Sequence, residues 1–175
     1  MLNKRILSTY FINDALTIAP KMLGMHLVRR LDDGSIIRLQ ITEVEIYRGK
    51  EDLACHASKG KTDRTKIMFE EGGKIYVYLI YGMHWLLNIT AGEEGTPQAI
   101  LIRGTKEVPG PGRIGRFLQL DKSFYGEDLS TSTRLCLEHG EEIDDNNVEK
   151  LPRVAVGYGG EYWSEILWRW RVKKQ

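Results

Sequence analysis

Apolar and polar residues alternate with a period of two through much of this chain, the spacing of strands with one buried face. Residues 27–31 and 36–47 show it first, and Asp32-Asp33-Gly34 between them predicts a β-hairpin. In the second run Ile37, Leu39, Ile41, Glu43 and Glu45 would share one face, and Arg38, Gln40, Thr42, Val44 and Ile46 the other. The first of these faces starts apolar and ends in carboxylates, which must lie past the sheet edge or be buried for a reason. Residues 75–80 and 85–90 predict a second hairpin around Tyr81-Gly82-Met83-His84. Residues 98–103 read as a further strand, 134–137 as a short one, and 152–158 with 163–172 as strands that close the sheet.

Helical signals are few. Asn13 or Asp14 can cap a short helix ending near Gly24, with Pro20 restarting it as a first-turn residue. After Pro109-Gly110-Pro111-Gly112, residues 113–120 predict a helix with Ile114, Phe117 and Leu118 facing inward. The polar stretch 48–69 reads as loop with short helices. The sum is an α+β fold: a single mixed domain over residues 1–175, with a curved, mostly antiparallel β-sheet core and peripheral short helices.

Composition narrows the class little. The chain has 175 residues, a size at which one core buries roughly two-thirds of the surface. No apolar run approaches the ~18 residues of a membrane span, and residues 1–5 lead into Thr9 and Tyr10 without an apolar signal core. A cytoplasmic protein with no membrane partner is expected. Cys55 and Cys136 are far apart and form no Cys-x-x-Cys spacing, so neither a disulfide framework nor a cysteine zinc site is expected. Net charge is only +1, but residues 138–149 hold six acids and no Lys or Arg. Without them, 25 cations face 18 acids, a charge of +7. Cations gather at Lys59, Lys61, Arg64 and Lys66, at Arg113, Arg116 and Lys122, and at Arg169, Arg171, Lys173 and Lys174. This permits a polyanionic partner, although scattered cations also serve as plain solvated surface.

Candidate chemistry lies in three places. Glu43-Val44-Glu45-Ile46-Tyr47, followed by Asp52 and His56, puts a carboxylate at a strand end with Tyr and His close behind, a set able to activate water. The same residues would equally make a salt-bridged Glu, a core Tyr and a satisfied His. In the run Tyr76-Val77-Tyr78-Leu79-Ile80, Tyr76 and Tyr78 share a face, as packing or as pocket wall, and Tyr81 falls in the turn. An aromatic ring at a hairpin tip can wedge between stacked bases. Asn88 and Arg103 interrupt apolar strands and need partners if buried.

Taken in order, these residues resemble the alkyladenine (3-methyladenine, methylpurine) DNA glycosylase family. The resemblance runs from about Phe11 to Trp170 through Glu43-Val44-Glu45-Ile46-Tyr47, Gly49, Glu51-Asp52, His56 and Met68-Phe69. It continues through Tyr76-Val77-Tyr78-Leu79-Ile80-Tyr81-Gly82-Met83, Asn88, Pro111-Gly112, Asp121-Lys122-Ser123 and Arg153-Val154-Ala155-Val156-Gly157-Tyr158. It implies a monofunctional hydrolase that flips a damaged purine from duplex DNA and cuts its bond to deoxyribose. Hypoxanthine, 3-methyladenine, 7-methylguanine and etheno-adenine are the implied substrates, without ranking. By resemblance Glu45 is the general base for water, Arg103 holds that water and carboxylate, and Tyr47, His56, Tyr78 and Asn88 enclose the base. Tyr81 is the intercalating wedge. No Lys stands at the base position, which implies a water nucleophile and an abasic product. No cofactor or metal is implied, and a monomer is expected.

The chain stops at Gln175, soon after Trp168-Arg169-Trp170, where relatives of this family generally continue. Base selectivity is therefore expected to be broader or supplied by other residues. The acidic stretch 138–149 is expected away from DNA. A competing reading is a non-catalytic nucleic-acid-binding module sharing the fold. A zinc-dependent base deaminase would show a His/Cys signature with Pro-Cys-x-x-Cys, which is absent.

Overall fold

The computed structural model describes residues 4–173, so Lys174 of the last cationic cluster lies outside the described residues. Two one-turn helices, α1 (Ser8–Phe11) and α2 (Ala15–Ile18), precede the first hairpin of β1 (His26–Arg30) and β2 (Ile36–Arg48). The second hairpin, β3 (Ile75–Ile80) and β4 (His84–Ala91), is followed by β5 (Gln98–Thr105) and α3 (Pro111–Phe117). The chain then forms β6 (Leu135–Glu138), β7 (Val148–Leu151), α4 (Glu161–Glu165) and β8 (Arg169–Val172). All strand pairs are antiparallel, in the order β3-β4-β5-β2-β1-β6, and β8 joins β7 to β2. The α+β class and both predicted hairpins stand, and Asp14 caps α2 by accepting the Leu16 N–H at 2.9 Å.

Both faces of the sheet are covered. One carries the main core, to which β2 to β5 contribute Val44, Ile46, Ile75, Val77, Leu87, Ile89, Ile100 and Ile102. The alternate positions Tyr76 and Ala99 point the other way, into a smaller cluster with Cys55, Ala57, Met68 and Phe69, against which Tyr47 and Tyr78 pack. The turn-rich stretch after β2 supplies that second layer, with 3-10 turns at His56–Lys59 and Lys66–Phe69.

The single-face reading of β2 is corrected. Leu39 and Ile41 lie in the main core, but so do Val44 and Ile46, so the buried parity changes between them. Pairing with β5 steps from Ile41↔Thr105 to Glu43↔Gly104 to Val44↔Ile102, passing over Thr42 on one strand and Arg103 on the other. An irregularity of this kind re-aims the side chains beyond it. Glu45 and Tyr47 therefore project from the face opposite Val44 and Ile46.

Two further expectations change. In α3, Ile114 and Leu118 are buried but Phe117 is 49% exposed. The helix approaches β4 through Gly115, whose added Cβ would lie 1.8 Å from the Trp85 carbonyl oxygen, so the contact face runs through 114, 115 and 118 and turns 117 outward. Residues 152–158 form no strand, and Trp163 sits in α4. This segment instead crosses the sheet face that carries Glu45, where its backbone is bound by side chains rather than by a ladder. β8 pairs instead with β2 and with β7, which begins at the end of the acidic stretch 138–149. Residues 139–147 beyond β6 are mostly exposed, at the sheet edge opposite the β3–β4 hairpin. Among the described residues no helix is long and apolar enough to cross a membrane.

Gly115→Ala is expected to destabilise by about 1–3 kcal/mol, because a rigid backbone carbonyl occupies the space of the new methyl. Urea unfolding checks this; an unchanged midpoint would show that α3 docks more loosely than described.

Candidate active site

Glu45 has no exposed surface. Its Oε1 accepts the Tyr47 hydroxyl, and its Oε2 accepts the Val154 N–H at 3.1 Å. Arg103 Nη1 stands 3.6 Å from the same Oε2. Burial pushes the Glu45 carboxyl above the ordinary Glu range, while Arg103, Tyr47, the Val154 N–H and Arg169 pull it down without cancelling the shift. The result is a more basic carboxylate than an exposed Glu. Two hydrogen bonds leave about two of its four lone-pair positions for a further donor. Glu43, the other strand-end carboxylate, takes a different part: it accepts Arg169 Nη1 at 2.9 Å and lies 3.4 Å from Arg103 Nε, without hydrogen-bonding geometry in that second contact.

Tyr47, Arg103 and Val154 also line a groove of about 850 Å³ that opens to solvent. Glu45 is not part of its surface but lies directly behind these three. A small inner recess of about 30 Å³ reaches from the groove to Asn88 and shares Tyr47, His56, Tyr78 and Tyr158 with it. The His56 and Tyr78 rings meet edge-on at 4.8 Å, and Tyr76 and Tyr78 are tilted at 5.5 Å. His56 Nδ1 is 2.8 Å from the Tyr76 hydroxyl. Burial, with Arg64 and Lys59 nearby, pulls the His56 imidazole down to about 4, so it is neutral at physiological pH. Asn88 is buried and donates from Nδ2 to the carbonyl of Tyr76, its cross-strand partner, at 3.1 Å. Among the described residues, no three His, Cys, Asp or Glu side chains converge as a metal-binding group.

Glu45, Arg103, Tyr47, His56, Tyr78 and Asn88 are thus gathered at one groove, and Tyr81 stands on its rim. Tyr81 is 84% exposed at the tip of the three-residue β3–β4 loop. Its φ of +53° is left-handed, a conformation that costs a non-glycine residue about 1–3 kcal/mol. The preceding strand runs regularly to Ile80, so the tip directs a large ring outward at that cost.

The main parts not singled out from sequence are in the segment 152–160. Arg153 and Asp52, both fully buried, pair through two contacts of 2.6 and 2.9 Å. Arg153 also donates to the Ile46 and Trp163 carbonyls at 3.1 and 3.0 Å, and Asp52 accepts the Arg48 and Ala54 N–H groups at 3.0 Å each. The pair ties the segment to β2 one residue from Glu45 and so delivers the Val154 N–H to it. Tyr158 closes the groove wall with its hydroxyl donated to the Ala54 carbonyl at 2.8 Å. The pairing of Asp52 with Arg153 was not visible in the sequence, since 101 positions separate them. The C-terminal cations are not a free patch: Arg169 is bound to Glu43, Arg171 to Glu149 at 2.8 Å, and Lys173 to the Asn146 carbonyl.

Residues 9–109 and 105–175 match the sequence model of the family described as methylpurine-DNA glycosylase. The chain belongs to that family. Its members are hydrolases acting on N-glycosyl bonds. A protein of Borreliella burgdorferi (strain ZS7) named "Putative 3-methyladenine DNA glycosylase" is 37% identical over 176 residues, 94% of each chain. Proteins of the same name from Legionella pneumophila (strain Paris) and Natranaerobius thermophilus are 36% and 32% identical, over 94% of this chain and 92% and 93% of theirs.

Two stability predictions follow from the buried charges. Asp52→Ala leaves Arg153 buried without its partner and should cost about 3–5 kcal/mol in urea unfolding. Glu45→Gln should do the opposite at neutral pH. A carboxyl whose folded-state value is raised favours folding while protonated and loses that advantage as pH rises through the raised value. The glutamine variant should therefore exceed wild type in midpoint at neutral pH, with the gap closing as pH falls to the ordinary Glu value. A gap that widens in acid would contradict the raised basicity of Glu45.

Proposed function

We propose that this protein flips a damaged purine out of duplex DNA and hydrolyses its N-glycosidic bond with Glu45 as general base. The observation that carries this reading is Glu45 itself, a raised, fully buried carboxylate behind an aromatic-walled groove, with Arg103 3.6 Å away. A purely binding surface gains nothing from burying a carboxylate there.

A base within the duplex stack is out of reach, and extruding it costs about a few kcal/mol, less where the pair is damaged. Tyr81 on the groove rim would fill the vacated space, and stacking on Tyr47, Tyr78 and His56 would return roughly 1–3 kcal/mol per base contact. Asn88 at the inner recess would meet the far edge of the base. As the bond to the sugar lengthens, C1′ gains oxocarbenium character, as in glycoside hydrolysis. The anionic Glu45 stabilises that charge. Water adds its oxygen to C1′, its proton passes to Glu45, and the bonding pair leaves with the purine. Arg103 keeps Glu45 ionised despite burial and orients the water. The product is an abasic site, made by a monomer without a metal or other cofactor. The substrate class is alkylated or deaminated purines: 3-methyladenine, as in the relatives' names, and, as the family resemblance implies, hypoxanthine, 7-methylguanine and etheno-adenine.

Labelled duplexes carrying one hypoxanthine or one methylated purine, incubated in EDTA and then treated with hot alkali, test this. Wild type should yield strand breaks at the lesion, and Glu45→Gln should slow them by about 10²–10⁴-fold. Tyr81→Ala should lose roughly tenfold on duplex, the value of one aromatic contact, and less on a single strand. Tight salt-dependent binding with no breaks from wild type on either lesion would leave a non-catalytic binding module.

A further inference from the structure

Arg64 is a cation in the wall of the groove. Its guanidinium carbon lies 4.9 Å from the centroid of the Tyr78 ring, and Nη2 is 3.4 Å from His56 Nε2. Tyr78 and His56 line both the groove and the inner recess, and Arg64 lines the groove beside them. It is exposed, and no carboxylate pairs with it within salt-bridge range among the described residues. A guanidinium only donates, so it makes Nε2 of the neutral imidazole an acceptor, and the ring proton sits on Nδ1, donated to the Tyr76 hydroxyl. The wall therefore presents a fixed positive charge and an uncharged imidazole, with no anion between them and the groove.

On the glycosylase reading above, we infer that Arg64 sorts damaged purines by charge, favouring neutral lesions such as hypoxanthine over cationic ones such as 7-methylguanine. The reason lies in where the electrons go. When C1′–N9 breaks, the bonding pair stays on N9, C1′ bonds to the water oxygen, and the water proton goes to Glu45. A neutral purine thus departs with negative charge until it is protonated, and a cation beside it stabilises that charge as it grows. A cationic purine departs neutral, so it gains nothing on leaving, and before that it is repelled.

The position is exposed and in a loop, so replacing it leaves the core untouched. Arg64→Met keeps length and apolar contact with Tyr78 but removes the charge, and Arg64→Lys keeps the charge without the planar fork. Single-lesion duplexes of hypoxanthine and 7-methylguanine are compared with each variant. The methionine variant should lower kcat on hypoxanthine and lower KM on 7-methylguanine. The ratio of kcat/KM for 7-methylguanine over hypoxanthine should rise by on the order of tenfold, as one unit charge a few ångströms away would produce. The lysine variant should keep the ratio within about threefold of wild type. An equal loss on both lesions, with a shallower salt slope, would make Arg64 a phosphate contact and overturn the inference. So would an unchanged ratio in the methionine variant. A wild type that releases neither base would instead remove the glycosylase reading itself.

Discussion

Where β2 meets β5 the ladder passes over Thr42 on one strand and Arg103 on the other, and the groove depends on that break. Without it, strict alternation from Leu39 and Ile41 would put Glu43 and Glu45 into the apolar core. With it, Val44 and Ile46 take over the core contacts, and Glu45 turns to the opposite face with Tyr47. The same irregularity leaves Arg103 beside Glu45 rather than opposite another strand residue. Local geometry thus converts a costly buried charge into a paired one.

Pairing alone does not set the basicity of Glu45. Desolvation dominates its environment and keeps its basicity raised, whereas Arg103 and two hydrogen bonds limit the penalty. One of those bonds comes from a segment with no ladder of its own. Residues 152–160 are held by Arg153, whose guanidinium bridges Asp52, Ile46 and Trp163 at distances of 2.6–3.1 Å. That clamp fixes the position of the next residue, Val154, whose N–H Glu45 accepts. The left-handed Ala155, at φ +56°, is further strain held beside the site.

Charge is distributed unevenly between the groove and the far edge of the sheet. Lys59 and Arg64 line the groove whose rim carries Tyr81, while the acidic residues beyond β6 lie at the opposite sheet edge. Arg169 of β8 is paired with Glu43 of β2, and Arg171 of β8 with Glu149 of β7. A net charge of +1 therefore understates the contrast between the two sides.

Period-two alternation, the Asp32-Asp33-Gly34 turn and the turn at Tyr81 were enough for β1 to β6, both hairpins and the α+β class, because these are local properties of residues a few positions apart. The ordered motifs likewise pointed to Glu45, Tyr47, His56, Tyr78, Tyr81, Asn88 and Arg103. Alternation failed at Thr42, since a bulge depends on the partner strand, and at residues 152–158, where apolar spacing looked like a strand but the side chains of Glu45, Ser164 and Arg169 claim the backbone. Phe117 turned outward because Gly115 approaches the Trp85 carbonyl, a contact between residues 30 positions apart. The Arg153–Asp52 clamp and the placing of Arg64 on Tyr78 belong to the same kind. Each needs two distant segments at fixed distance and angle, and a one-dimensional pattern carries neither.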